Sequence, residues 1–234
     1  MADKPIIFSA PMVQALLAGR KTQTRRIVKP QPNIDGMGNF CHDGSNWGQH
    51  IDGTPCTKHF IAKKCPYGKP GDRLWVRENW RPLDGYSNWD VRVLYGADNA
   101  EEHFPDGFDL KGDWQWPKAA SRGFVPSIHM PRWASRLTLI VTDVRVQRLQ
   151  DISEEDAKAE GCGKAFEVQD LRDAMHKLLG AASGETTGST YRIGFAHLWN
   201  SINGPDAWSD NPFVYAVSFI VHKSNIDALK AEAA

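Results

Sequence analysis

The sequence predicts an α+β fold: a mixed β-barrel with flanking helices and long loop insertions. Three observations lead there. Strand-like and helix-like stretches are interspersed without the regular strand–helix–strand rhythm of a doubly wound parallel sheet. Leu137 to Leu149 carries the strongest strand signal, with Leu137, Leu139 and Val141 alternating, then Val144 and Val146 beyond Asp143. The hydrophobic fraction is 41% of 234 residues, enough to bury a sizeable core. That length favours one domain, 1–234, with irregular insertions at about 33–70, 96–130 and 162–190.

Taken in order, Ile6 to Phe8 reads as a short strand. Ser9 then stands where a helix N-cap would, Pro11 falls just inside the helix and Gly19 just past its end. Met12, Val13, Leu16 and Leu17 give that helix one apolar face. Lys21 to Val28 reads as a polar strand closed by Lys29-Pro30-Gln31-Pro32. Gly71-Asp72 marks a turn, after which Arg73 to Trp80 is a strand with Leu74, Val76 and Glu78 on one face. Val91 to Tyr95 is a further short strand. The break in spacing at Thr142-Asp143 suggests a bulge or bend. Ser153-Glu154-Glu155-Asp156 resembles a capping box that opens a helix ending at Gly161. Leu171 to Leu179 reads as helix and Ala181 to Ser189 as loop. Phe195, Leu198, Trp199 and Ile202 follow helical spacing within Tyr191 to Ile202, and Phe213 to Val221 is a closing strand.

Composition narrows function. Lys+Arg and Asp+Glu both number 28, so bulk electrostatic wrapping of long nucleic acid is disfavoured, while a local basic pocket stays open. No apolar run is long enough to span a bilayer, and Met1 to Ile7 lacks a signal-peptide pattern, so a cytoplasmic protein without a membrane partner is expected. Cys41, Cys56, Cys65 and Cys162 are then expected to be reduced. Cys41, Cys56, Cys65, His42, His50 and His59 crowd one segment, but only Cys56-x-x-His59 has close ligand spacing, so no metal is expected. No phosphate loop, His-Glu-x-x-His or Gly-x-Ser-x-Gly motif occurs, and no cofactor is expected.

The densest chemistry lies in Gly19-Arg20-Lys21-Thr22-Gln23-Thr24-Arg25-Arg26, directly after a helix. This stretch fits the Gly-x-Lys-x-x-x-Arg signature of ASCH domains, a PUA-like family. The lead-in Phe8-Ser9-Ala10-Pro11-Met12-Val13 resembles the larger bacterial and phage members. So do Cys65-Pro66-Tyr67-Gly68, Gly71-Asp72-Arg73-Leu74-Trp75-Val76-Arg77-Glu78, Met130-Pro131-Arg132-Trp133-Ala134-Ser135-Arg136 and Asn211-Pro212-Phe213. The resemblance implies a barrel related to RNA-binding PUA domains. One small branch of the family is an amidohydrolase that removes acyl groups from N4-acylcytidine using a lysine, a threonine and a glutamate. Lys21 and Thr24 match its Lys-Thr-x-Thr form, and Glu78 is the matching carboxylate here.

The implied roles are Thr24 as nucleophile, Lys21 as base once burial and neighbouring cations lower its pKa, and Glu78 orienting Lys21 or protonating the leaving amine. Ser9, Arg25, Arg26, Arg77 and Trp133 are the candidate substrate-binding residues. Arg132, Trp133 and Arg136 offer either a base-stacking, phosphate-binding surface or a pre-strand loop that closes the barrel with the arginines at its rim. In an ideal strand Lys21 and Thr24 face opposite sides, so a shared pocket requires a turn or bulge near Thr22-Gln23. The expected partner is a modified cytidine nucleoside, with RNA possible. The alternative is a non-catalytic module that binds RNA or a modified nucleotide.

Overall fold

A computed structural model describes residues 2–34, 40–42, 57–83, 90–105, 117–163 and 190–231. The chain forms two compact units. The first comprises Met1–Ala18, Asp72–Ile140 and Val221–Ala234; the second comprises Gly19–Gly71 and Val141–Ile220.

The first unit opens with β1 (Asp3–Ile7) and α1 (Ala10–Leu17). Ser9 takes the N-cap position of α1 in extended conformation without a side-chain capping bond, and Gly19 follows the helix at φ +69°, which suits glycine. β1 runs parallel to β5 (Arg73–Arg77), with Ile6 opposite Val76, and β5 pairs antiparallel with the start of β9 (Thr138–Arg148), with Leu74 opposite Leu139. β6 (Trp80–Pro82), β7 (Asp90–Tyr95) and β8 (Glu101–Pro105) form an antiparallel meander. Trp80, Val91, Val93, Tyr95, Val125 and Met130 fill its core. β8 lies inside a stretch that reads as irregular. Its sequence lacks a β-branched run, and its pairing with β7 makes it a strand.

In the second unit, β2 (Gln23–Ile27) pairs antiparallel with β10 (Phe213–His222), with Thr24 opposite Val217. β3 (Asn33–Ile34) and β4 (Phe40–Cys41) form a short hairpin-like pair, and α2 spans Lys58–Lys63. α3 (Glu154–Ala159) and α4 (Thr190–Asn203) pack together over a core of Leu149, Ile152, Ala157, Phe195, Trp199 and Val214. The Glu154 carboxylate accepts from the backbone N–H groups of Tyr191 and Arg192 at 2.9 and 3.1 Å, an anion at the start of α4.

The closed barrel expected from the sequence is not formed. The five-stranded sheet has the order β1-β5-β9-β10-β2, and β6-β7-β8 and β3-β4 are separate sheets. Closure requires the two edge strands to hydrogen-bond; among the described residues β1 and β2 share no ladder. Leu74, Leu139 and Val217 do fall in this one sheet, as their strands' patterns suggest. Alternation within a strand says which side chains turn inward, and it carries no information on whether two distant edges meet. The helix expected at Leu171 to Leu179, together with Cys56 and His50, lies outside the described residues.

Candidate functional site

The signature segment sits in the second unit, and its side chains converge on α3. Ser153 caps that helix by accepting from the Asp156 N–H at 3.1 Å. Asp156 and Glu160 are four residues apart, so both fall on one side of α3 and its C-terminal end. Lys21, Gln23 and Arg25 are spaced two apart, which places them on one face of the β2 segment. The two spacings mesh. Lys21 Nζ donates to Glu160 Oε2 at 2.8 Å, to the Glu160 carbonyl at 2.9 Å and to the Gln23 carbonyl at 2.8 Å. Arg25 donates to Glu160 Oε1 at 3.0 Å and to Asp156 Oδ2 at 2.9 Å. Gln23 bridges the set by accepting from Arg25 at 2.6 Å and donating to Asp156 at 3.1 Å. Arg145 reaches Asp156 from β9 at 3.1 Å.

Lys21, Arg25 and Glu160 are all buried. Burial holds the Lys21 pKa below its ordinary value; the Glu160 carboxylate acts in the opposite direction, and Arg26 pushes the same way as burial. Glu160 thus bridges two buried cations, and Asp156 answers Arg25 as well. Beside this pair the backbone N–H of Thr22 donates to the Ala159 carbonyl at 2.8 Å. Thr22 and Ala159 line a cleft of about 580 Å³ with Arg20, Lys158, Cys162 and Tyr191. The Cys162 thiol donates to the Ala157 carbonyl at 2.9 Å, and burial pushes its pKa up to about 12, so it stays protonated and is a poor nucleophile.

Thr24 is buried and, with Arg26, belongs to the strand face opposite Lys21 and Arg25. Thr22 is the exposed threonine of the motif and the one that lines the cleft. Arg26 is half-buried, its guanidinium 5.9 Å from the centre of the Tyr67 ring.

Glu78 belongs to the first unit, and its carboxylate is held by Arg136 through two bonds of 2.9 and 3.0 Å. Arg136 also grips Asp98 at 3.0 and 2.9 Å and lies 4.0 Å from the Tyr95 ring centre. Burial raises the Glu78 pKa against the pull of Arg136. Trp133 packs edge-on against Trp80 and Phe104 in the core of this unit. Arg132 binds Asp3 and Asp227 at 2.6 Å each. Arg77 lies over the Trp75 ring at 5.2 Å and donates to the Ile128 carbonyl. The acidic partner of Lys21 in this structure is therefore Glu160, which the sequence reading missed. A signal was present: an acidic residue at a helix C-terminus opposes the helix dipole, and its placement there points to a cation nearby.

No family model matches this chain, and no curated protein or solved structure matches it. Among the described residues no helix is long and apolar enough to cross a membrane.

Proposed function

We propose that the chain is an amidohydrolase that removes the acyl group from N4-acylcytidine-type nucleosides, with Lys21 and Glu160 as its proton-handling pair. The observation that carries this reading is the buried 2.8 Å contact between the signature lysine and Glu160, flanked in sequence by the cleft residues Thr22 and Ala159. In a desolvated pair the proton is shared more evenly than in water, because burial disfavours both charged forms. The resemblance makes Thr24 Oγ the nucleophile that attacks the acyl carbon and Lys21, in its amine form, the group that takes its proton; the two side chains lie on opposite faces of the segment, so this step requires the chain to turn at Thr22-Gln23. The C–N bond breaks, the cytosine N4 takes a proton from the pair, and water then hydrolyses the acyl-threonine ester to a carboxylic acid. The site residues come from the ASCH resemblance, with Glu160 in the position that resemblance gave to Glu78.

The test is the ultraviolet change as the acyl group leaves the cytosine ring. Lys21→Ala and Glu160→Gln are each expected to slow turnover by about 10²–10⁴-fold. Thr24→Ala is expected to abolish it and Thr24→Ser to retain part. If Thr22→Ala abolishes turnover and Thr24→Ala does not, the nucleophile is the cleft threonine. Wild-type protein inactive over a panel of acyl lengths sinks the reading.

A second reading, a module that binds a modified nucleotide without catalysis, is favoured by one observation: the three bonds from Lys21 Nζ all go to oxygen acceptors, as suits a fixed ammonium. Equilibrium dialysis that detects N4-acetylcytidine bound intact supports it; intact ligand with no retention does not.

A further inference from the structure

In the first unit the segment Leu74 to Arg81 presents alternate residues to opposite sides. Leu74, Val76, Glu78 and Trp80 are buried, whereas Trp75, Arg77 and Arg81 are half-buried and Asn79 is exposed. The chain from Phe124 to Ile128 runs alongside in the opposite direction. Trp80 and Val125 exchange backbone bonds of 3.2 and 2.6 Å, the Ser127 N–H donates to Asn79 Oδ1 at 3.0 Å, and Arg77 donates to the Ile128 carbonyl. Exposed apolar side chains lie among the two cations. Phe124 is 44% exposed and Ile128 55%, and Ile7, opposite Arg77 in the β1–β5 register, is 42% exposed. The floor beneath is closely packed: a Cβ on Gly96 would stand 3.1 Å from the Asn79 carbonyl oxygen and 3.3 Å from the Phe124 ring.

Neither arginine has a carboxylate partner among the described residues, and the Nε atoms of both are shielded from solvent with no acceptor. Other arginines of this unit are answered: Arg73 by Asp3 at 2.8 Å, Arg132 by Asp3 and Asp227, and Arg136 by Glu78 and Asp98. A guanidinium kept partly desolvated without an anion is costly for the free protein, and an incoming anion offsets that cost. The two arginines do not share one anion. Four residues of extended chain span about 13 Å, and each head group rests at a different ring, Arg77 at 5.2 Å from the centre of Trp75 and Arg81 at 5.6 Å from that of Phe124. A single phosphate or small dicarboxylate is too short to bridge that interval.

We propose that this face docks an extended acidic segment of a partner protein, with carboxylates four residues apart on Arg77 and Arg81 and apolar side chains between and beside them against Phe124, Ile128 and Ile7. Charge complementarity sets the sign of the partner, because two guanidinium groups without anions each offer a paired donor to a carboxylate. The interval sets its conformation. An extended peptide carries residues i and i+4 on one face at the same interval of about 13 Å, whereas on a helix they rise only about 6 Å. Aliphatic Ile7 and Ile128 set its composition: they suit leucine- or valine-like side chains and offer nothing to a chain of phosphates. The residues all belong to the first unit, and the proposal is independent of the hydrolytic reading.

The experiment is fluorescence anisotropy of a labelled peptide of about ten residues, Thr-Leu-Thr-Glu-Thr-Leu-Thr-Glu-Thr-Leu, which when extended puts both glutamates and all leucines on one face. Wild-type protein is expected to bind it. The same peptide with Gln for both Glu is expected to bind at least about 10-fold more weakly, since charge-assisted bonds are lost. A peptide of equal composition with its glutamates adjacent is expected to lose a similar factor, because neighbouring residues face opposite ways. The double variant Arg77→Gln, Arg81→Gln is expected to bind the parent peptide at least about 10-fold more weakly and to stop distinguishing it from the glutamine form. Ile128→Ser is expected to weaken both forms alike and to leave the salt dependence unchanged. The peptide controls need only wild-type protein, so they decide the matter where an arginine variant fails to fold. The proposal is overturned if wild-type protein gives no anisotropy change at the lowest salt, or if it binds either control peptide as tightly as the parent. It is equally overturned if a single-stranded oligonucleotide of equal charge displaces the parent peptide at lower concentration than the unlabelled peptide does.

Discussion

Each unit holds a buried ion cluster with a bridging residue of opposite sign: a carboxylate between two cations in the second unit, a guanidinium between two carboxylates in the first. In the second unit one carboxylate, Glu160, serves two cations, Lys21 and Arg25. In the first unit one guanidinium, Arg136, serves two carboxylates, Glu78 and Asp98. Burial works against the charged form in both, lowering the Lys21 pKa and raising that of Glu78. The bridging residue in each cluster, Glu160 or Arg136, is the one whose loss breaks two ion pairs at once.

Removing the bridging residues gives the largest expected effects. Glu160→Ala leaves buried Lys21 without its Glu160 carboxylate and Arg25 with Asp156 alone, and is expected to destabilise the second unit by about 3–5 kcal/mol. Urea unfolding followed by tryptophan fluorescence reads this; a loss below about 1 kcal/mol would mean that solvent reaches Lys21 and Arg25. Arg136→Met strands Glu78 and Asp98, and about 3 kcal/mol is expected at neutral pH. That loss should shrink in acid, because Glu78 can take up a proton and Lys21 gains no such relief there. Equal losses at neutral and acidic pH would erase the contrast between the clusters.

A smaller effect separates the carboxylates by the sign of their pH dependence. The Glu78 pKa is raised by burial, so its contribution to stability is complete below the unfolded value of about 4.3 and is lost as pH rises through the folded value. The Asp156 pKa is lowered: burial opposes the shift, and Gln23, Arg25 and Arg145 together outweigh it. Its contribution is present above about 3.9 and is lost as pH falls through the folded value. Stability measured against pH is therefore expected to lose a falling component in Glu78→Gln and an acid-side rise in Asp156→Asn. Slopes that change in the same direction for both variants would contradict the assignment. The smallest effect is at the Ser153 cap. Ser153→Ala removes the bond to the Asp156 N–H and is expected to cost about 1 kcal/mol by thermal unfolding, since one cap satisfies one helix N–H group.

Short-range features were well marked in the sequence. Ser9, Pro11 and Gly19 bracket α1, the Ser153 cap opens α3, and the spacing of Phe195, Leu198 and Trp199 sits on α4. The inward turn of Leu74, Val76 and Glu78 follows from alternation and is met by their burial. The opposition of Lys21 and Thr24 across the strand is a consequence of the same rule, which puts Thr22 and Thr24 on one side; that Thr22 lines the cleft while Thr24 is buried depends on what packs over each. β8 was not legible, because a strand of Glu-Glu-His-Phe-Pro owes its state to the neighbour it pairs with.

What the sequence determined by itself is therefore local: where helices start and stop, which residues of a strand turn inward, and that a lysine and three arginines crowd the turn after α1. These depend on backbone geometry and spacing within a few residues. Tertiary structure alone decided which carboxylate meets which cation. Glu160 lies 139 residues from Lys21 and Arg136 lies 58 from Glu78, and no periodicity reaches that far. It also decided that the sheet ends on β1 and β2 instead of closing, because closure depends on where two edges distant in sequence come to lie.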